Sequence, residues 1–512
     1  MPLNDYHGPA RMPLRLFDWR LLLRGPGEAP FEHLLIAGGT EDLAQAAEAA
    51  GIARRATRWP LHEGLADGIA IFRDFLGDPA AVAGRLAAGG ALYCEPRSSL
   101  SWVARSGLQD VRLYWAAPGR GQPRAYVPLT TAGLSWLLRN GAEPLELRAT
   151  LRAIAAKLLA GRGIALPEVA LTARAGEDRS GAELSLWRGH LERQVGVGLL
   201  TPGGLDRSGV AQIVFEGGDS RPGHVLKARR SPQFNGLVED EHRVLEALQA
   251  ELPRSLARSV PKPLRLEREG DYLLSLQTYA PGPSLAASTA AWYASRRQQL
   301  RGLRLVSRWL AGVHRGTQQG IATWDAHARA EWIDRPLSLC RQLSGQAEQE
   351  LFARTQGAAE ALDGLACPLV RQHNDLDPWN IHLSGSQISV LDWERSRPGP
   401  ALTDLLHFVS IWYSLALKVP RSAQLAAIAD LFIPTGSGER QLVSAVQQEI
   451  TSYLGVMSMD ARFVPVLLVA TLADQAVQRA LSAAPGDARS INRQAGYLKA
   501  LAPQAEELFR CS

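Results

Sequence analysis

The residues best suited to chemistry in this chain are His373-Asn374-Asp375-Leu376-Asp377-Pro378-Trp379-Asn380 and, twelve residues after Asn380, Asp392-Trp393-Glu394. Phosphoryl transfer from a nucleotide needs a carboxylate beside the attacking hydroxyl and oxygen ligands that hold Mg²⁺ against the β- and γ-phosphates. Asp375, Asn380 and Asp392 fill those roles in that order. Asp375 and Asn380 are five residues apart across Pro378, which fixes one φ and disfavours helix at Asp377, so a tight loop can turn both polar ends to one pocket. Ile381 to Leu383, a Ser384-Gly385-Ser386 turn and Ile388 to Leu391 then read as a short hairpin that carries Asp392 back beside the loop.

The order His-Asn-Asp-x-x-Pro-Trp-Asn, then Asp-Trp-Glu, resembles the catalytic loop and metal-binding aspartate of the aminoglycoside phosphotransferase and choline kinase-like family. More distantly it is similar to the catalytic loop and DFG aspartate of protein kinases. The resemblance implies that Asp375 is the base or hydroxyl-orienting group, that Asn380 and Asp392 ligate Mg²⁺, and that His373 is a buried brace for the loop. Pro398-Gly399-Pro400 and Asp404 to Phe408 also resemble the family's segment after the metal aspartate. Asp377 departs from the pattern, because related kinases carry other residues there. It is expected to be a solvated loop residue, the alternative being contact with a cationic acceptor or a second metal.

The elements that must position these residues follow in kinase order. Val195 to Leu200 and Val210 to Phe215 read as strands joined by a Gly-rich turn, Thr201 to Gly209, whose amides suit phosphates but equally suit a plain hairpin. His224 to Ala228 reads as the next strand and carries Lys227 where the resemblance places the lysine that contacts the α/β-phosphates. Glu241 precedes Val244, Leu245 and Leu248 at helical spacing and is the expected partner of Lys227, with Glu239 and Asp240 competing for that role. Leu273 to Tyr279, running into Pro281-Gly282-Pro283, resembles the hinge that holds the adenine, so Gln277, Thr278 and Tyr279 mark the base-binding region through their backbone. Leu300 to His314 is an amphipathic helix with Leu303, Val306, Trp309, Leu310 and Val313 on its apolar face and a structural His314.

At 512 residues the chain exceeds one ordinary domain. With 56 basic and 51 acidic residues its net charge is +5, and no basic block interleaved with aromatics marks a nucleic-acid binder. Cys94, Cys340, Cys367 and Cys511 lack metal-ligand or disulfide-framework spacing. The N-terminus lacks a basic-then-apolar signal, and the apolar run Val464 to Leu472 reads as a buried helix, so a cytoplasmic protein without membrane association is expected.

Leu34 to Ala37, Gly68 to Phe72, Ala91 to Cys94 and Val111 to Tyr114 read as buried strands, with a helix over Glu41 to Ala50 and a further strand candidate at Ile52 to Trp59. Their alternation implies a parallel α/β sheet. Residues 30 to 140 are similar to the back half of class I SAM-dependent methyltransferases, through Ala66 to Pro79, Leu86 to Gly90 and Gly107 to Val111. The front half departs from that pattern: Ala37-Gly38-Gly39 lacks a preceding acid, and the Ile52 to Trp59 segment is arginine-rich with no acid to hold ribose hydroxyls. SAM binding is therefore not expected.

The fold expected is α/β plus α+β. A Rossmann-like, methyltransferase-like domain over residues 1–165 precedes a protein-kinase-like N-lobe over 185–280 and a mostly helical C-lobe over 281–512. The function expected is ATP- or GTP- and Mg²⁺-dependent phosphorylation of a hydroxyl on a small molecule: a sugar, an amino sugar or an amino alcohol. A catalytically silent nucleotide-binding scaffold and a methyltransferase with a regulatory kinase-like half are the alternatives.

Overall fold

The structure is a computed structural model that describes residues 14–510 apart from 61–63, 98, 118–122, 141–152, 163, 165, 167, 177–185, 188, 190–195, 202–207, 216–220, 292, 343–344, 434–438 and 483–492. The Gly-rich turn after Thr201 lies largely outside the described residues. Two compact units form, the first from described residues within 1–141, 145–239 and 263–279, the second from those within 240–262 and 280–512.

Among the described residues the first unit is built on one mixed twelve-stranded sheet. Along the chain its strands are β1 (Phe31–Ala37), β2 (Ala53–Arg58), β3 (Ala66–Ile71), β4 (Leu86–Cys94), β5 (Gln109–Ala117), β6 (Ala125–Pro128), β7 (Val169–Arg174), β8 (Gly196–Leu200), β9 (Gly209–Phe215), β10 (Pro222–Arg229), β11 (Pro263–Glu269) and β12 (Tyr272–Thr278). Their spatial order is β11-β12-β10-β9-β8-β6-β5-β7-β4-β3-β1-β2. Only β2, β1, β3 and β4 pair in parallel, and every pair from β4·β7 to β11·β12 is antiparallel. The expected parallel sheet is thus corrected to a parallel four-stranded end continuing into an antiparallel run.

Burial explains why the N-terminal strands read as unbroken apolar runs. Leu34, Ile36, Ala70 and Tyr93 pack on one face of the sheet, while Leu35, Ala37, Ile69, Ile71, Leu92 and Cys94 pack on the other. A strand covered on both faces has no polar alternation to show. β6 and β8 join through Ala125↔Leu200 and Tyr126↔Leu199, so the sheet passes without a break from the N-terminal strands to β8–β12. The segment Leu14–Leu22 is tied to the far side of the same unit, where Arg230 donates from Nε and Nη2 to the buried Asp18 carboxylate at 2.9 and 2.8 Å.

The second unit is mostly helical. Its longest helix, Arg296–Gly316, begins in a capping box made by Ser295 and Gln298 and buries Leu303, Val306, Trp309, Leu310 and Val313 as its periodicity predicts. Three antiparallel strands, β13 (Gly320–Thr323), β14 (Ala366–Gln372) and β17 (Arg397–Pro400), and the hairpin β15 (Ile381–Ser384) to β16 (Gln387–Val390) carry the loops discussed below. The hairpin closes Ser384 on Gln387 across Gly385, whose φ of +66° suits the two-residue turns that match strand twist. The helix Phe463–Ser482 is long and apolar enough, by length and composition, to cross a membrane, yet Phe463, Val466, Leu467, Leu468, Val469 and Leu472 are buried in this unit's core.

Candidate active site

β14 runs into the loop that begins at His373, and that loop is held from below by one buried carboxylate. Asp404, at the start of the helix Thr403–Ala416, accepts the backbone N–H groups of His373 at 2.7 Å and Asn374 at 2.9 Å, and meets His314 Nε2 at 3.3 Å. Burial works to raise the Asp404 carboxyl, but the His314 and His373 interactions outweigh it and hold it below the usual carboxylate range. His314 in turn reaches the Tyr453 hydroxyl, which accepts the Leu402 N–H at 3.1 Å.

His373 braces the loop as the resemblance implies. It is 1% exposed, its Nε2 lies 2.7 Å from the Leu391 carbonyl, and its Nδ1 lies 3.2 Å from the Asp375 N–H. A carbonyl can only accept and an amide can only donate, so both contacts are satisfied when Nε2 carries the proton. The ring therefore ties the residue before Asp392 to the residue that bears the candidate base. Trp393 packs against it with ring centroids 4.6 Å apart.

Asn380 N–H bonds Asp377 C=O at 2.8 Å, a turn with Pro378 at its second position. The Asn380 side-chain Nδ2 donates to Asp375 C=O at 2.9 Å, and Asn380 C=O accepts Leu391 N–H at 2.9 Å. Because the amide nitrogen is spent inside the loop, the amide oxygen is the atom left to ligate. Asp392 follows Leu391 in left-handed conformation, with φ +61°. Asp375, Asn380 and Asp392 are thus gathered on one loop and hairpin, and their oxygens suit a hard divalent cation.

Asp377 is corrected from a solvated loop residue to a buried one, 8% exposed. Its carboxylate accepts from His407 Nε2 at 2.9 Å and from Arg479 Nη2 at 2.6 Å. Burial opposes its charge, but His407 and Arg479 outweigh burial and hold its pKa at about 2. Arg479 Nη2 also lies 3.4 Å from Asp375 Oδ1, and Arg395 Nη1 lies 3.8 Å from the same oxygen. Asp375, Asp377 and His407 offer ligand atoms within 4.8 Å of one another, but the His407 and Arg479 contacts already occupy Asp377. Arg395 and Arg479 carry no local signal in the sequence, and His407, within the segment Asp404 to Phe408, gave no sign of its contact with Asp377, which it reaches through helix packing.

The other expected residues belong mainly to the first unit. Lys227 sits half-buried on β10, paired with Ser275 of β12, while Val225 and His224 pair with Gln277 and Thr278. Gln277 is buried, and its Oε1 has no hydrogen-bond partner. Tyr279 donates its N–H to Gly223 C=O at 3.0 Å, and its hydroxyl accepts from Trp136 Nε1 at 2.8 Å. Glu241 is buried on the helix Asn235–Glu251 and belongs to the second unit.

The loop and hairpin thus carry a carboxylate, an amide oxygen and a second carboxylate close together in the chain. Residues 206–438, a little under half of the chain, match the phosphotransferase enzyme family, and that match supports a small-molecule phosphotransferase. The match begins well after residues 30–140, so it does not extend to the methyltransferase resemblance. Among solved structures the chain is similar to an amicoumacin kinase in complex with AMP-PNP, Ca²⁺ and Ami, at 15% identity over 62% of this chain and 88% of that one, with TM-score 0.39. It is also similar to a glucosamine kinase, at 16% identity over 60% and 85% of the two chains with TM-score 0.35. A third is an aminoglycoside phosphotransferase from Streptomyces rimosus, at 13% identity over 52% and 89% with TM-score 0.33. No curated protein matches.

Proposed function

We propose that the protein transfers the γ-phosphoryl group of ATP or GTP to a hydroxyl of a small molecule, with sugars, amino sugars and amino alcohols as the expected classes. The observation that carries this reading is the loop from His373 to Asn380, which is fixed by hydrogen bonds within it and to Asp404 while the Asp375 carboxylate is left 21% exposed. Asp375 orients the acceptor hydroxyl and takes its proton as the new O–P bond forms and the bond from the γ-phosphorus to the departing diphosphate breaks. Asn380 Oδ1 and the Asp392 carboxylate are the residues that would hold Mg²⁺, which when bound neutralises charge on the phosphates. Lys227 is assigned to the α/β-phosphates and the backbone of Gln277, Thr278 and Tyr279 to the base.

We further propose that the turn after β1 does not take SAM. In a sheet of order β2-β1-β3-β4 a ligand belongs at the carboxyl ends of β1 and β3. Here the Asp74 carboxylate, just beyond β3, accepts the Gly39 N–H at 2.8 and 3.0 Å, and a Cβ on Gly38 would meet Asp74 Oδ1 at 2.4 Å. Arg58, at the end of β2 where an acid would bind ribose, donates instead to the Gly39 and Thr40 carbonyls. The test of the main reading is phosphate transfer from ATP to a panel of hydroxyl compounds. Asp375→Asn should lower the rate by about 10² to 10⁴ for any acceptor found, and an unchanged rate would exclude Asp375 from the chemistry.

A further inference from the structure

An acceptor bearing amines is best held by carboxylates, so the state of the acids around Asp375 bears on what the site accepts. Two neighbouring acids are already engaged by cations of the second unit. Asp377 is bound by His407 and Arg479, and Asp474 accepts from Arg397 at 2.9 Å. Guanidinium groups face the candidate base: Arg479 Nη2 at 3.4 Å and Arg395 Nη1 at 3.8 Å from Asp375 Oδ1. They come from different elements, Arg395 from the short turn Trp393–Arg395 and Arg479 from the last turn of the helix Phe463–Ser482. Each is oriented by a second partner, Arg395 by Gln478 Oε1 at 2.8 Å and Arg479 by Asp377 at 2.6 Å. Side-chain exposures of 22% for Arg395 and 41% for Arg479 leave both open to a ligand. A third guanidinium, Arg493, lies 5.4 Å from the ring centroid of Trp379, the residue before Asn380.

A guanidinium presents five N–H donors in a planar fork that matches carboxylate and phosphate oxygens. The hydrogen bonds that link Arg479 to Asp377 and Asp375 run through Nη2 alone, and the link from Arg395 to Gln478 also runs through one nitrogen. Arg395 and Arg479 offset the charges of Asp375 and Asp377, so the spot beside the attacking hydroxyl lacks the net negative charge that holds an ammonium, while the remaining guanidinium N–H groups can donate to an oxyanion.

We propose that Arg479 and Arg395 form an anion receptor for the acceptor, so that the phosphorylated alcohol carries a phosphate or carboxylate near the attacking hydroxyl. This rests on the phosphotransferase reading of the same site and selects against its amino sugar and amino alcohol classes.

The test uses the full chain. It is first titrated with AMP-PNP and Mg²⁺ by calorimetry, and the nucleotide-saturated protein is then titrated with inorganic phosphate, acetate and choline. Saturating AMP-PNP fills the donor phosphate positions, so added anions report on the acceptor side. Binding of phosphate, of acetate or of both is expected, weakened at least about tenfold in Arg479→Gln and in Arg395→Gln and less in Arg479→Lys, a loss of 1.4 kcal/mol or more. Which anion binds separates a phosphorylated from a carboxylated acceptor. Arg395→Gln leaves the Asp377 pair intact and so guards against a folding defect in the Arg479 variants, whose melting temperatures are compared with the parent. Choline binding tighter than both anions, no binding of any probe, or anion binding that survives both Gln variants would overturn the anion receptor while leaving the phosphotransferase reading in place. Failure of AMP-PNP to bind would remove that reading and this inference with it.

Discussion

At Asp377 a buried carboxylate is kept charged by His407 and Arg479, and this sets a pH dependence with a definite sign. Its pKa falls from 3.8 to about 2 on folding. A depressed carboxylate contributes stability that is fully present above its unfolded value and is lost as pH falls through its folded value. The contribution is on the order of 2 kcal/mol at neutral pH. Unfolding free energies of the parent and Asp377→Asn from urea melts should therefore differ by about 2 kcal/mol at pH 7 and converge between pH 4 and pH 2. A difference that stays constant down to pH 2 would show that the pair does not titrate as described. That Asp375, Asn380 and Asp392 sit on one loop and hairpin was legible because all three fall within eighteen residues of chain. Burial of Asp377 was not legible, because its partners lie 30 and 102 residues away and reach it through helix packing.

Among the elements, the helix Thr403–Ala416 contributes most to positioning, since its Asp404 receives two loop N–H groups and His314. Removing it leaves buried donors without an acceptor, and Asp404→Ala should cost about 3 kcal/mol or more in a denaturant melt. Transfer activity should fall further than Asp404→Asn makes it fall, because an amide oxygen still accepts the loop N–H groups; equal losses in the two variants would mean that the carboxylate does not act through the loop. In the helix Thr131–Asn140, Trp136→Phe deletes the 2.8 Å hydrogen bond to Tyr279, the residue after β12, and should cost about 1 kcal/mol of stability without altering nucleotide affinity. Altered affinity would place the Tyr279 side chain in the base site. Most of the strands were legible from β-branched and apolar runs. Their pairing was not: β7 returns from residue 169 to insert antiparallel between β4 and β5, and β6 is only four residues long. Neither choice is written in local periodicity, because any exposed strand edge can accept either direction.

For the molecule as a whole, the continuous sheet means that β8–β12 do not end in a solvent-facing edge at β8. A chain truncated to begin at residue 186 would strip β6 from β8 and leave its hydrogen-bonding groups unpaired. It should be prone to aggregation, while the full chain stays monodisperse by light scattering. A soluble, nucleotide-binding truncation would show that the N-terminal strands are dispensable to the first unit. The sequence carried the kinase order of elements across this span, but not the sharing of one sheet, since β6 and β8 are linked by two residue pairs and no motif. A divalent-metal-dependent phosphotransferase site at Asp375, Asn380 and Asp392 is tested most directly by calorimetric titration of the full chain with ATP, with and without Mg²⁺. Binding that requires Mg²⁺ and weakens by about tenfold or more in Asp392→Asn is the result expected. Binding that ignores both the metal and the substitution would contradict the site, as would an absence of nucleotide binding under either condition.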